Sequence, residues 1–78
     1  MTKEQEKKYN ALLKKHEVLN KRYQELEKME LELTNNKKIS DETRLANMNK
    51  LAQEYQKIAD LMQQISEEAQ ALSDEVNA

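Results

Sequence analysis

Two ladders of apolar residues with heptad spacing run along this chain, and they are out of phase with one another. In the first half, leucines recur at positions 12, 19, 26 and 33. The second ladder follows alternating three- and four-residue steps from Met48 to Val76. Continuing the first ladder by sevens reaches only polar residues, namely Ser40, Asn47 and Glu54. One straight helix would direct the two stripes to different sides, so the sequence predicts that the chain turns back between them.

The predicted elements follow from these ladders. Helix 1 is expected over residues 3–33, a joint over residues 34–40, and helix 2 over residues 41–76. We label heptad positions a to g, with a and d forming the seam. In helix 1, position a holds Tyr9, His16, Tyr23 and Glu30, and position d holds Leu12, Leu19, Leu26 and Leu33. The seam of helix 2 holds Met48, Leu51, Tyr55, Ile58, Met62, Ile65, Ala69, Leu72 and Val76.

Composition supports an all-helical chain. The 78 residues include no Gly or Pro, which argues against a fold with many strands and tight turns. Charged residues make up 36% and apolar residues 37%, a combination typical of coiled coils when the period is near 3.5. We therefore predict one domain over residues 1–78, an all-α antiparallel two-helix coiled-coil hairpin.

The ends of the helices also carry signals. Thr2 with Gln5 forms a weak capping box, and Ser40, followed by Asp41 and Glu42, is the predicted N-cap of helix 2. Asn35 and Asn36 are the residues of the joint most able to adopt the left-handed conformation in a chain without glycine.

Charge favours the antiparallel arrangement. Residues 1–22 carry seven basic and three acidic side chains, whereas residues 60–78 carry five acidic and none basic. A hairpin places these blocks side by side. Pairing residues whose numbers sum to 77 or 78 sets Tyr23 by Tyr55, Leu26 by Leu51, Leu12 by Ile65 and Leu33 by Leu45. Glu30 then faces Met48, and we expect it to pair with Arg44 or Lys50, to reach water, or to admit a partner's cation.

Several apolar residues lie outside the seam. They are Leu13, Val18, Met29, Leu31, Leu45, Ala46, Ala52, Ala59 and Leu61. A lone hairpin buries each helix on one side only, so its stability is marginal. We expect either that two hairpins dimerise into an antiparallel four-helix bundle or that the hairpin docks on another protein.

Basic residues form rows on helix 1 and offer a second interpretation. They could bind RNA, DNA or an acidic protein, or they could simply be a solvated face that balances helix 2. The overall charge of −2 and the glutamates between the rows favour the solvated face. The residues predicted to contact a partner are Leu13, Val18, Leu31, Leu61, Lys14, Lys15, Lys21 and Arg22.

Residues suited to catalysis are scarce. His16 is the only histidine, and a seam histidine is favoured over a metal ligand or general base because no Glu-x-x-His motif accompanies it. Tyr9, Tyr23 and Tyr55 suit core packing better than stacking on bases. Without glycine there is no phosphate-binding loop. We expect no enzymatic activity, no cofactor, no metal and no small-molecule substrate.

The chain shows no secretory leader and no membrane span, so we expect a cytoplasmic protein with no membrane partner. The initial Met favours a complete small protein.

Residues 11–17, then Ile39-Ser40-Asp41 with Arg44, and Glu54-Tyr55, resemble the N-terminal helical hairpin of bacterial peptide chain release factors. The resemblance implies a helical hairpin. It transfers no residue roles, because the catalytic region of that family is absent.

The expected function is therefore that of a non-enzymatic protein–protein interaction module. Such a small helical adaptor, chaperone or regulator would dock on a larger protein through its helix faces. The alternatives are a nucleic-acid-binding hairpin dimer that uses the basic face of helix 1, or a purely structural oligomer.

Overall fold

Two long helices make up almost the whole chain in the computed structural model, which describes all 78 residues. Helix α1 covers Lys3–Asn35 and helix α2 covers Asp41–Asn77, with no strands. The helices lie side by side in opposite directions over a length of 57 Å. The predicted all-α helical hairpin is confirmed. Helix α1 ends two residues later than the periodicity indicated.

The N-termini of both helices are capped as the sequence predicted. The Thr2 hydroxyl accepts a hydrogen bond from the Gln5 amide at 3.2 Å, and the Gln5 side chain accepts one from the Thr2 amide at 2.9 Å. The Ser40 hydroxyl accepts from the Thr43 amide at 3.2 Å. Each cap satisfies an amide that has no partner within its own helix.

The turn between the helices differs from the prediction. No residue has a positive φ angle, and Asn36 is extended, with φ −82° and ψ 102°. Its side-chain oxygen accepts from the Lys38 amide at 3.0 Å, and its backbone oxygen accepts from Arg44 Nη2 at 2.6 Å. The expected left-handed asparagine is therefore wrong. Hydrogen bonds from Lys38 and from the first turns of α2 hold the joint instead.

The core of the hairpin is a single row of side chains. The four buried residues are Leu12, Leu26, Ile58 and Leu72, and all of them occupy position d. Position a is more open, because Tyr9, His16 and Tyr23 are exposed while Met48, Tyr55 and Met62 are half-buried. His16 therefore lies at the surface and not within the seam. The seam is rotated so that its d side is closed and its a side faces outward.

The predicted pairing of layers holds only in part. The rings of Tyr23 and Tyr55 meet edge to face with their centroids 5.3 Å apart, as the pairing required. Leu12, however, shares a groove with Leu72 and not with Ile65. Leu45 is 64% exposed, so its predicted pairing with Leu33 is wrong. The predicted register placed a residues opposite a residues and d residues opposite d residues. In close packing, each side chain instead fits between residues of the facing helix.

Candidate interaction surfaces

The two flanks of the seam differ in chemistry. Going around a helix, position e lies next to a, and position g lies next to d. We call the flank formed by the g positions of both helices the ion-pair edge. We call the flank formed by the a and e positions of both helices the a/e face. Since the d row is closed, these two flanks contain the surfaces that remain available beside the seam.

Cross-helix ion pairs occupy the ion-pair edge. Lys8 Nζ lies 3.7 Å from a carboxylate oxygen of Glu75, and Lys15 Nζ lies 3.7 Å from one of Glu68. These contacts join the basic first part of α1 to the acidic last part of α2, as the charge pattern predicted. All four side chains are more than half exposed, so each pair contributes little stability and mainly favours the antiparallel direction.

Arg22 continues this edge toward the joint. Its guanidinium contacts Glu25 at 3.0 Å and Glu54 at 3.1 Å. The hydrogen bonds to Glu25 and then to Glu54 raise the pKa of Arg22. Arg22 is therefore held as a cation that links one residue of its own helix to one residue of the other.

The a/e face lacks positive charge altogether. No lysine or arginine occupies position a or e on either helix, and its acidic residues are Glu6, Glu27 and Glu30 of α1 and Asp41 of α2. On α1 the larger side chains of this face are Tyr9, Leu13, His16 and Tyr23, all of them exposed. On α2 position e carries small side chains over most of its length, at Ala52, Ala59, Ser66 and Ser73.

Glu30 is accommodated by an aromatic hydroxyl. The Tyr55 hydroxyl donates a hydrogen bond to the Glu30 carboxylate at 2.9 Å, so the expected pairing with Arg44 or Lys50 is not formed. Arg44 instead contacts Asn36 and Asp41 at the joint. Partial burial and this hydrogen bond to a carboxylate raise the pKa of Tyr55 to about 12. Tyr55 therefore stays neutral and satisfies the one carboxylate of the seam.

A groove of about 450 Å³ opens in the ion-pair edge near the middle of the hairpin. Leu19 and Ile65 of the seam line it together with Val18 and Leu61, which are 65% and 44% exposed. Lys14, Lys15, Gln64 and Glu68 complete its rim. An apolar surface bordered by charged groups is typical of a site for a protein partner.

The structure distributes the eight predicted partner-binding residues over several places. Four of them, Val18, Leu61, Lys14 and Lys15, line this one groove. Leu13 lies across the seam on the a/e face, and Leu31 is exposed outside every groove of this edge. Lys21 pairs with Glu17 of its own helix at 3.7 Å, and Arg22 is held by Glu25 and Glu54.

Two features of these surfaces were missed by the sequence reasoning. The groove had a visible signal, because Glu54, Glu68 and Glu75 share position g on α2 and Leu61 interrupts their row. The contact between Tyr55 and Glu30 had no such signal. It depends on how far one helix is displaced along the other.

Side chains that could ligate a metal ion do not cluster on these surfaces. No group of three or more potential metal-ligating side chains comes together. His16 lies at the surface and makes no hydrogen bond or ion pair. Neither helix contains a stretch that is both long enough and apolar enough to cross a bilayer.

The geometry thus defines an all-α helical hairpin with one ion-paired edge and one flank that carries no lysine or arginine. Comparison with protein-family models, with curated proteins and with solved structures finds no match. The resemblance to the release-factor hairpin gains no support from these comparisons.

Proposed function

We propose that this chain is a non-enzymatic protein-interaction module that pairs with a second copy through its a/e face and docks on a larger protein with its outer surface. The observation that carries the proposal is the a/e face, a flank without a single lysine or arginine in a chain that has 13 of them. Solvated helix faces normally carry charges of both signs, whereas helices in bundles are apolar at a, d and e.

The surface area of the hairpin supports association. The chain exposes 6469 Å², and its mass is 9.2 kDa. A compact folded protein of that mass exposes about 4,900 Å². The excess is about 1,500 Å² per chain, more than the roughly 800 Å² that each partner contributes to a typical stable interface. The whole hairpin extends 57 Å by 15 Å, so one face of it presents about 850 Å², near that contribution.

Complementary side-chain sizes favour a particular arrangement of the two copies. The exposed residues of the a/e face on α1 are bulky, such as Tyr9 and Leu13, whereas position e of α2 is shallow, with residues such as Ala59 and Ser66. A two-fold axis parallel to the helices lays α1 of each copy over α2 of the other. Large side chains then meet small ones, and both joints lie at the same end of an antiparallel four-helix bundle.

Internal ion pairing makes the nucleic-acid alternative less favourable. Lys8, Lys15, Lys21 and Arg22 each lie within 4 Å of a carboxylate of the same chain. Paired cations release fewer counterions from a phosphate backbone, so the remaining positive charge is a poor basis for binding RNA or DNA.

Sedimentation equilibrium of the wild type and two matched variants tests the proposed pairing. Ala59→Glu adds a bulky charge to the shallow part of the a/e face, whereas Leu61→Asp places a charge two residues away on the ion-pair edge. We expect a wild-type dimer with little salt dependence, at least about a 10-fold weaker dimer for Ala59→Glu, and an unchanged dimer for Leu61→Asp. A monomeric wild type, or equal effects of the two variants, would overturn pairing through this face.

A further inference from the structure

The ion pairs of the ion-pair edge follow the heptad interval until Leu61 interrupts them. On α1 the ion-pair edge presents Lys8, Lys15 and Arg22 at seven-residue intervals. Lys8 and Lys15 are matched on α2 by Glu75 and Glu68. The same interval would match Arg22 with Leu61, which cannot form an ion pair. Arg22 instead reaches Glu54, one heptad closer to the joint, and the edge opens at Leu61.

Three grooves follow one another along this edge. Leu12 and Leu72 line the groove toward the open end, and Leu19 and Ile65 line the central one. Leu26 and Leu51 line the groove toward the joint. Their α1 leucines are seven residues apart, which corresponds to about 10.5 Å of helix. The grooves therefore repeat at the heptad spacing of an α-helix.

We propose that this edge binds an acidic amphipathic helix of another protein, with the central groove around Val18 and Leu61 taking its main apolar anchor. The inference rests on the proposed function and names the chemistry of the partner. Heptad-spaced grooves match the side chains of a helix, because apolar residues of an amphipathic helix recur on one face at that interval. An extended strand rises about 3.3 Å per residue and presents no such spacing on one face.

The unpaired charges beside the three grooves favour an acidic partner. Every carboxylate that lines the three grooves, namely Glu54, Glu68 and Glu75, is already held in an ion pair. Lys14 in the central groove and Lys50 in the groove nearer the joint form none. The unpaired charges along the grooves are therefore positive. Glutamates flanking the apolar face of a partner helix would meet them, whereas lysines there would be repelled.

The proposed self-association leaves this site accessible. The grooves lie on the d and g side of the seam, and the a/e face lies on the other side of it. In the four-helix bundle described above, the a/e faces meet at the centre and the ion-pair edges face solvent. Each dimer would thus present two equivalent sites.

Fluorescence anisotropy with designed helical peptides tests the inference on the full chain. The probe is a labelled three-heptad peptide with leucines at positions a and d and glutamates beside them. One control peptide has lysines in place of the glutamates, and another has serines in place of the leucines. We expect the acidic probe to bind at least about 10-fold more tightly than either control.

Matched protein variants locate the binding site. Leu61→Asp should weaken binding of the acidic probe by about 10-fold or more, whereas Leu31→Asp, which changes an exposed leucine outside the grooves, should leave it unchanged. Lys14→Glu should reduce the preference for the acidic peptide over the basic one. Equal affinity for all three peptides, or wild-type affinity in Leu61→Asp, would overturn the inference.

Sedimentation of the same samples separates this inference from the proposed function. If Leu61→Asp dissociates the dimer, the groove belongs to the self-interface and the inference fails. If the wild type is monomeric yet binds the acidic probe with the expected selectivity, only the self-pairing fails. If a single-stranded RNA oligonucleotide displaces the acidic probe, the positive charge serves nucleic acid, and the inference is overturned.

Discussion

Tyr55 shows how a single side chain resolves a local conflict in this hairpin. Glu30 occupies position a, where a carboxylate would face the seam without a cation beside it. The Tyr55 hydroxyl donates to that carboxylate while its ring contacts Tyr23 edge to face. One aromatic residue thus supplies both an apolar contact and a hydrogen bond to the carboxylate at position a.

This contact predicts a loss of stability at high pH. The pKa of Tyr55 is about 12 in the folded chain, against about 10 in the unfolded chain. The folded state therefore favours the neutral hydroxyl, and the resulting stability is complete below pH 10 and lost as the pH rises through 12. Urea unfolding between pH 9 and 12 should show a declining free energy of unfolding, and Tyr55→Phe should flatten the decline.

Ultraviolet titration of tyrosinate supplies the control for this experiment. The step near pH 12 should disappear in Tyr55→Phe and remain in Tyr9→Phe, since Tyr9 makes no hydrogen bond to a carboxylate. A step near pH 12 that persists in Tyr55→Phe would contradict the assignment to Tyr55.

At the scale of the helices, the caps and the joint decide where each element begins. Helix α2 depends on Ser40 at a point where the chain must reverse direction, whereas α1 begins at the open end of the hairpin, away from the joint. Arg44 adds a second restraint from inside α2, because its guanidinium bonds the backbone oxygen of Asn36 across the joint. The joint is thus held mainly by α2.

Removing the Ser40 cap should therefore cost more than removing the Thr2 cap. We expect Ser40→Ala to lower the free energy of unfolding by about 1 kcal/mol, because the Thr43 amide loses its acceptor. Thr2→Ala should cost about half of this or less, since the first turn of α1 contains no buried residue and contributes little to the packing. Chemical denaturation at a fixed protein concentration measures both. Ser40→Asp retains an acceptor and should behave like wild type, so an equally large loss in that variant would contradict the capping role.

At the scale of the whole molecule, the hairpin has little interior for its length. Only four of its 78 residues are buried, and Leu13, Val18, Leu31 and Leu45 are each at least half exposed. Two helices joined by one seam bury one stripe each, which leaves the conformational entropy of folding barely offset. This is the physical reason for expecting a second copy on the a/e face.

If folding and pairing are coupled, thermal stability should depend on protein concentration. The midpoint temperature of unfolding, followed by circular dichroism, should rise steadily over a 100-fold increase in concentration, by mass action on the dimer. Raising the salt concentration should change it little, because the proposed interface lacks opposite charges. A midpoint that is independent of concentration would indicate that the hairpin is stable alone.

Much of the fold could be predicted from the residues in order. The two ladders predicted two helices, the phase break between Leu33 and Ser40 predicted the turn, and the charges of the terminal segments predicted the antiparallel direction. Prediction was least accurate for the layers at the two ends of the hairpin and for Glu30. Both depend on the displacement of one helix along the other, which no local pattern encodes.

The sequence by itself determined the number of helices, their ends and their relative direction, because heptad period, capping hydrogen bonds and segment charge all act over a few residues or along one helix. Only the tertiary structure decided that the d row closes while the a row faces outward, that Arg44 restrains an extended Asn36, and that the groove lies at Leu61. These features depend on the rotation and stagger of both helices together. Packing of all the seam residues at once sets these two quantities.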